Sequence, residues 1–159
     1  EVLVEKLVEL DGRFTAPDNK REMQDVSFND DLINIKFGFD KKGQPNMVAF
    51  NRLSTRYLKG EIDSYYIISI DGKTNNVTLF DLYQQLPYTN YNVGTGQVML
   101  KEKSFFQQFD QKKDYSVSKY TIIHTMRQMK VKSHDDHVKL KTQQLKKSLE
   151  LFDKTLSQY

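Results

Sequence analysis

The chain has 159 residues, enough for one domain with a sizeable core and too few for two ordinary ones. With 38% hydrophobic and 28% charged residues, its apolar stretches are interrupted well before membrane-spanning length, which excludes a helical membrane protein. It contains no cysteine, which excludes disulfide scaffolds, thiol nucleophiles and cysteine-ligated metal centres and points to a reducing, cytoplasmic setting. The net charge of +3 is too mild to establish nucleic-acid binding, but it is polarised: acids concentrate early, whereas Lys101, Lys103, Lys112, Lys113, Lys119, Arg127, Lys130, Lys132, Lys139, Lys141, Lys146 and Lys147 crowd the second half. No secretory signal is expected from the opening Glu1-Val2-Leu3-Val4-Glu5, which alternates charge with apolar residues, and the missing initiator Met suggests a trimmed start.

Val2, Leu3, Leu7, Val8 and Leu10 have helical spacing, with a stop at Asp11-Gly12. Phe14 to Glu22 reads as an irregular loop. Two β-type runs follow, Asp25 to Phe28 and Asp31 to Phe37, joined by Asn29-Asp30, and together they predict a hairpin. Past Gly38 and the turn-rich Asp40 to Pro45, the residues Met47, Phe50, Leu53 and Tyr57 predict a second helix ending at Gly60. Ser64 to Ile70 reads as the central strand, with Asn76 to Phe80 as an antiparallel neighbour. Asp81 to Leu86 suits a short helix, Pro87 to Gly96 a polar loop, and Gln97 to Leu100 a further run, with Ser104 as N-cap before Phe105, Phe106 and Phe109. Residues 110 to 137 lack a decisive pattern; Tyr120 to His124 fits a strand or the start of a helix. Val138, Leu140, Leu145, Leu149, Leu151, Phe152 and Leu156 form a long C-terminal helix.

Chemistry concentrates on the hairpin. A two-residue loop at Asn29-Asp30 pairs Phe28 with Asp31, Ser27 with Leu32, Val26 with Ile33 and Asp25 with Asn34. Leu32, Asn34 and Lys36 then share one face, and Ile33, Ile35 and Phe37 share the other, which is expected to be buried. Asp25, Asn34 and Lys36 converge: a carboxylate, a second oxygen ligand and an ammonium are the groups that metal-assisted phosphodiester hydrolysis needs. The oxygens hold a hard cation such as Mg²⁺, and the lysine orients water or balances developing charge. The alternative for Asp25 and Lys36 is an exposed ion pair of little energetic worth.

Asp25, the hairpin, Asn34-Ile35-Lys36, a helix and then the hydrophobic strand from Tyr65 to Ile70 resemble, in order and in residues, the core of the PD-(D/E)XK nucleases, the family of most type II restriction endonucleases. The run Leu32 to Gly38, followed by Gly43-Gln44-Pro45-Asn46 at the mouth of a helix, looks like an active-site strand with Asn-Ile-Lys in the Asp/Glu-X-Lys place. The likeness covers about residues 1 to 80; the motif is degenerate, and the strand and helix context carries it. It implies an α/β fold, a restriction-endonuclease-like mixed sheet flanked by helices, with a catalytic core over about 1–86 and a basic, DNA-contacting, C-terminally helical part over about 87–159. It further implies sequence-specific, Mg²⁺-dependent cleavage of double-stranded DNA, with Asp25 and Asn34 as metal ligands, Lys36 as water orienter, Gln44 and Asn46 as phosphate or base contacts, and a homodimer on a palindromic site.

The departure is Asn34, where the family has a carboxylate. Three explanations stay open: Asn34 works as it stands; a second acid comes from Glu5, Glu9, Asp40 or Glu61; or the chain is an inactivated variant, a DNA-binding or assembly module on a nuclease scaffold. An RNA-binding domain is a third function class.

Asn90 and Asn92 in the Tyr- and Asn-rich loop suit DNA contacts, as do Lys101 and Lys103 at the head of a basic track. Each has a bland counterpart in solvated loop or surface. His134-Asp135-Asp136-His137 reads as a loop with an Asp N-cap, since adjacent residues cannot all reach one ion. Gly94-Thr95-Gly96 is a turn rather than a phosphate loop, so no nucleotide cofactor is implied. His124 lacks a nucleophile partner and reads as a half-buried structural histidine. The leucine stripe of the last helix suits core or dimer packing.

Overall fold

The computed structural model describes residues 2–19, 22–37, 46–72, 74–100 and 116–158. The protein is a mixed α/β fold, and its described residues form one five-stranded sheet and one three-stranded sheet. Helix α1 (Val2–Leu10) precedes the short strand β1 (Phe14–Thr15), which adds itself to β2 (Val26–Phe28) in a stretch expected to be a loop. Strand β3 (Asp31–Phe37) returns from β2 through Asn29, whose φ of 51° gives the left-handed turn that closes a two-residue hairpin. The register is the expected one, Phe28 opposite Asp31, Ser27 opposite Leu32 and Val26 opposite Ile33.

Strand β4 (Asn46–Ala49) leads straight into helix α2 (Phe50–Leu58). Met47 was expected in the helix and lies in the strand instead: its spacing to Phe50 suits a helix, but its main chain runs antiparallel to β8 (Gln97–Leu100). Phe50, Leu53 and Tyr57 form the buried stripe of α2. The helix ends where Gly60, at φ 70°, takes a left-handed conformation and donates to Tyr57 O while Glu61 N reaches Arg56 O.

The crossover through α2 delivers β5 (Tyr66–Ile70) parallel to β3, with Asn34 beside Ile67 and Lys36 beside Ser69. Strand β6 (Val77–Asp81) then pairs antiparallel with β5 as expected. The order β1-β2-β3-β5-β6 makes β3 the middle strand, a place the sequence assigned to β5, which is interior beside it. Asp81 caps the short helix α3 (Leu82–Gln85), and a single 3₁₀ turn follows. Thr89 to Asn92, expected within a loop, is strand β7 (Thr89–Asn92), which joins β8 and β4 in the second sheet.

Helix α4 (Lys119–Leu156) is capped by Ser118, whose side chain accepts from Thr121 N. Tyr120 to His124 is thus helical, and His134 to His137 lies mid-helix rather than in a loop. Ile122, Met126, Met129 and Ser133 are the residues that α4 buries. Ile122, Met126 and Met129 complete a core shared with Leu32, Ile67 and Phe80 of the first sheet, the α2 stripe, and Val48 and Val98 of the second sheet. The stripe from Val138 to Leu156 does not join that core; Leu145, Leu149, Leu151, Phe152 and Leu156 are exposed. His124 is exposed and stacks on Tyr120, not half-buried. Among the described residues no helix is long and apolar enough to cross a membrane. The expected Ser104 cap and the phenylalanines after it lie outside the described residues.

Candidate active site

The hairpin sets the site because its last ladder pair is Val26 with Ile33. Asp25, expected to face Asn34 as the next pair, instead donates its N–H to Ile33 O (2.9 Å) and turns its carboxylate back, Oδ2 accepting from Ile35 N at 2.6 Å. The side chain thus takes the place of a main-chain acceptor in the ladder. This fixes the carboxylate against the Ile35 main chain, one residue beyond Asn34 in sequence.

Asn34 is 8% exposed. Its Nδ2 donates to Met23 O at 3.3 Å, and the buried Tyr65 hydroxyl donates to the same carbonyl at 2.5 Å. Asn34 Oδ1 is buried and has no hydrogen-bond partner. A buried amide oxygen with no donor is costly unless something else occupies it, such as water or a cation. Burial pushes the Tyr65 phenol far above its ordinary range, and the nearby Asp25 carboxylate adds to the shift.

Lys36 lies one residue-pair further along the same face, half-buried beside Ser69. Burial holds its ammonium below the ordinary lysine range, and the Asp25 charge opposes that shift without cancelling it. No ion pair joins the two within 4 Å among the described residues, so the exposed-ion-pair reading fails on both exposure and contact. The face carrying Leu32, Asn34 and Lys36 is the one that meets the core; Ile33 is buried, but Ile35 is half-buried and Phe37 is 64% exposed. The expectation that the Ile33-Ile35-Phe37 face is the buried one is thereby corrected: α1 covers it only in part, while α2 closes the other. Along the covered face the sheet grades from Tyr65, Ile67 and Phe80 to Lys36, Ser69 and Thr78, and this polar end coincides with the carboxyl ends of the parallel strands β3 and β5. Open α/β sheets bind ligands at that end.

On the α1 side a cleft of about 650 Å³ opens onto Asp25, with Glu5, Asp18 and Glu22 on its walls and Val4 and Phe37 as apolar lining. Asn34 and Lys36 do not line it. Of the acids considered as substitutes for a carboxylate at position 34, Glu5 shares this cleft with Asp25; Glu61 is engaged by Arg56 and Lys59, Glu9 is exposed on α1, and Asp40 lies outside the described residues. Among the described residues no group of three His, Asp or Glu side chains is placed to hold a metal. The donors present are the Asp25 carboxylate and the orphan oxygen of Asn34. Each is of a chemical type that Mg²⁺ takes, a cation that uses one or two carboxylates and completes its shell with water and substrate phosphate; Asp25 lines the α1-side cleft and Asn34 does not.

The outlying expectations fare unevenly. Asn92 Oδ1 accepts from Gly94 N and Thr95 N, so it builds the turn that Gly94-Thr95-Gly96 was expected to make. Asn90 is half-buried on β7, and Asn46 opens β4. Gln44, Lys101, Lys103, Lys112 and Lys113 lie outside the described residues. Lys130 donates to Asn51 Oδ1, and Lys132 pairs with Asp136. His134 pairs with the neighbouring Asp135. Sequence reasoning missed Tyr65 as a site residue, and it missed Asp18 and Glu22. Tyr65 carried a signal, an aromatic hydroxyl at the start of a buried strand; the two acids stand in an aperiodic stretch that gave none.

No protein-family model matches the chain, and no curated protein matches it either.

Proposed function

We propose that this protein is a PD-(D/E)XK-type endonuclease that hydrolyses phosphodiester bonds of double-stranded DNA with Mg²⁺, in the manner of type II restriction enzymes. The observation that carries the reading is the orphan Oδ1 of Asn34, buried on the middle strand next in sequence to Ile35, whose N–H holds the Asp25 carboxylate, and two residues before the half-buried Lys36. The order α1, hairpin, α2, parallel β5 is the element order of the resemblance and supports it.

Asp25, locked by Ile35 N, would hold the metal as the charged ligand, with Asn34 Oδ1 as the neutral one. The chemistry Mg²⁺ would supply there is polarisation of the scissile phosphate and a more acidic bound water. Lys36, half-buried two residues further along the strand, carries an ammonium that burial holds below the ordinary lysine range, suited to orienting the attacking water and balancing the negative charge that builds on the phosphate. Tyr65 keeps Met23 O engaged and so holds the Asn34 amide in one orientation.

A second reading is favoured by one observation on the same residue. Asn34 brings no charge, and its Nδ2 already serves Met23 O, which suits a DNA-binding or assembly module that keeps the scaffold. Mixed-sequence plasmid and genomic DNA incubated with Mg²⁺ separate the two, with Lys36→Ala and EDTA as controls. Discrete fragments that vanish in both controls support the nuclease. Intact but bound duplex, unchanged in Asn34→Asp, overturns it in favour of the module; cleavage gained in Asn34→Asp identifies an inactivated enzyme.

A further inference from the structure

Helix α4 is 38 residues long, about 57 Å at 1.5 Å per residue, yet its last buried residue is Ser133. About 35 Å of helix therefore continues past the core. A polar helix of that length gains little from propensity alone and normally owes its stability to an apolar face against a partner. Such a face exists. Val138, Leu145 and Phe152 recur every seventh residue, and Thr142, Leu149 and Leu156 fall between and beyond them in a 4-3-4 rhythm, which is a coiled-coil seam. Val138, Leu145, Leu149, Phe152 and Leu156 are all half to two-thirds exposed. The seam sits roughly 150° around the helix from the Ser133 stripe, so it is not an extension of the face that meets the core.

We infer that this seam pairs antiparallel with the same segment of a second copy of the chain. The flanking charges decide the direction. In an antiparallel pair with Leu145 against Leu149 of the second copy, Lys139 falls beside Asp153 of the second copy twice over, and only Lys146 meets its own equivalent near the dyad. A parallel pair sets Lys141 against Lys146 twice and His134 against Lys139, with no opposite-sign contact between these flanks. The five apolar side chains of both copies together remove about 1,200 Å² from water, the lower end of a specific interface. The dyad runs between the two helices at the level of Lys147, so the two bodies stand at opposite ends of the pair, each free of the seam.

Sedimentation velocity on the full chain over a wide concentration range tests this. The expected result is a reversible dimer that Leu145→Glu with Leu149→Glu converts to monomer while thermal unfolding of the body is unchanged. Asp153→Lys weakens association roughly tenfold, and adding Lys139→Glu restores it. Because the chain has no cysteine, orientation is read by single introductions: Lys146→Cys cross-links to itself on oxidation, and Leu149→Cys does not. A monomer at every concentration, a dimer indifferent to the glutamates, or cross-linking at Leu149→Cys in place of Lys146→Cys overturns the inference. None of these readouts depends on nuclease activity.

Discussion

Replacing Asp25 by alanine removes the carboxylate that accepts from Ile35 N, at 2.6 Å and partly buried in the middle strand. An amide left without its partner in such a place costs about 1–2 kcal/mol. For a domain of this size that lowers Tm by roughly 3–6 °C. Asparagine keeps an oxygen at the same place and loses only the charge, so Asp25→Asn should stay within about 1 kcal/mol of the parent. Differential scanning calorimetry measures the first effect, and calorimetric titration with Ca²⁺, a cleavage-silent substitute for Mg²⁺, measures the second. The expected pattern is a split: Asp25→Ala is less stable and does not bind cation, whereas Asp25→Asn is stable and does not bind cation. Equal destabilisation of both variants would refute the claim that the hydrogen bond is the structural role, and undiminished Ca²⁺ binding by Asp25→Asn would refute the claim that the charge is the ligand.

Under the proposed nuclease function, Lys36→Met should abolish cleavage, and it should leave Tm level or higher because burial already disfavours the ammonium; a lower Tm shows that the charge stabilises the fold. Burial pushes the Asp81 carboxyl up to about 6 from 3.8 despite hydrogen bonds from Tyr65 N and Tyr83 N, so folding favours its protonated form. Stability is accordingly greatest below the unfolded value and falls, by on the order of 2 kcal/mol from this one group, as pH rises from about 4 to about 6. Urea titrations across that window should show the fall in the parent and a flatter profile in Asp81→Asn; matching profiles count against it. Gly60→Ala meets open space but must hold φ at 70°, so it should cost about 1–2 kcal/mol from backbone strain alone, read as a lower urea midpoint with an unchanged slope.

What the residues disclosed follows how local the determinants are. The hairpin register was legible because Asn29 tolerates the left-handed turn and alternation on both sides leaves one pairing. Asp25 escaped by one step, since a side chain replacing a ladder acceptor leaves no mark on periodicity. Met47 misled for the opposite reason: its spacing to Phe50 suits a helix, and only the distant β8 makes it a strand. Thr89 to Asn92 looked like a loop because a strand built from Thr, Asn and Tyr shows no apolar alternation, and Val98 supplies the buried side from the neighbouring strand. In α4 the buried stripe Ile122, Met126, Met129 and Ser133 is interrupted by Arg, Gln and Lys, which dilutes a four-three spacing that the eye finds easily in leucines. The candidate triad was readable by type and spacing; that Asn34 faces the core was not, because the aliphatic face of β3 advertised burial that α1 only partly provides.

The parallel pairing of β3 with β5 has a kinetic side. The hairpin places Asp25 on Ile35 by closing a two-residue loop, an event of microseconds for an isolated hairpin. Asn34 is enclosed only when Tyr65 arrives at Met23 O, which requires the whole crossover through α2 to be ordered first. One arm of the site is therefore assembled early and locally, the other late and globally. Native-state hydrogen exchange should separate them, with the Ile35 amide opening in a local fluctuation and the β5 amides exchanging only through global unfolding.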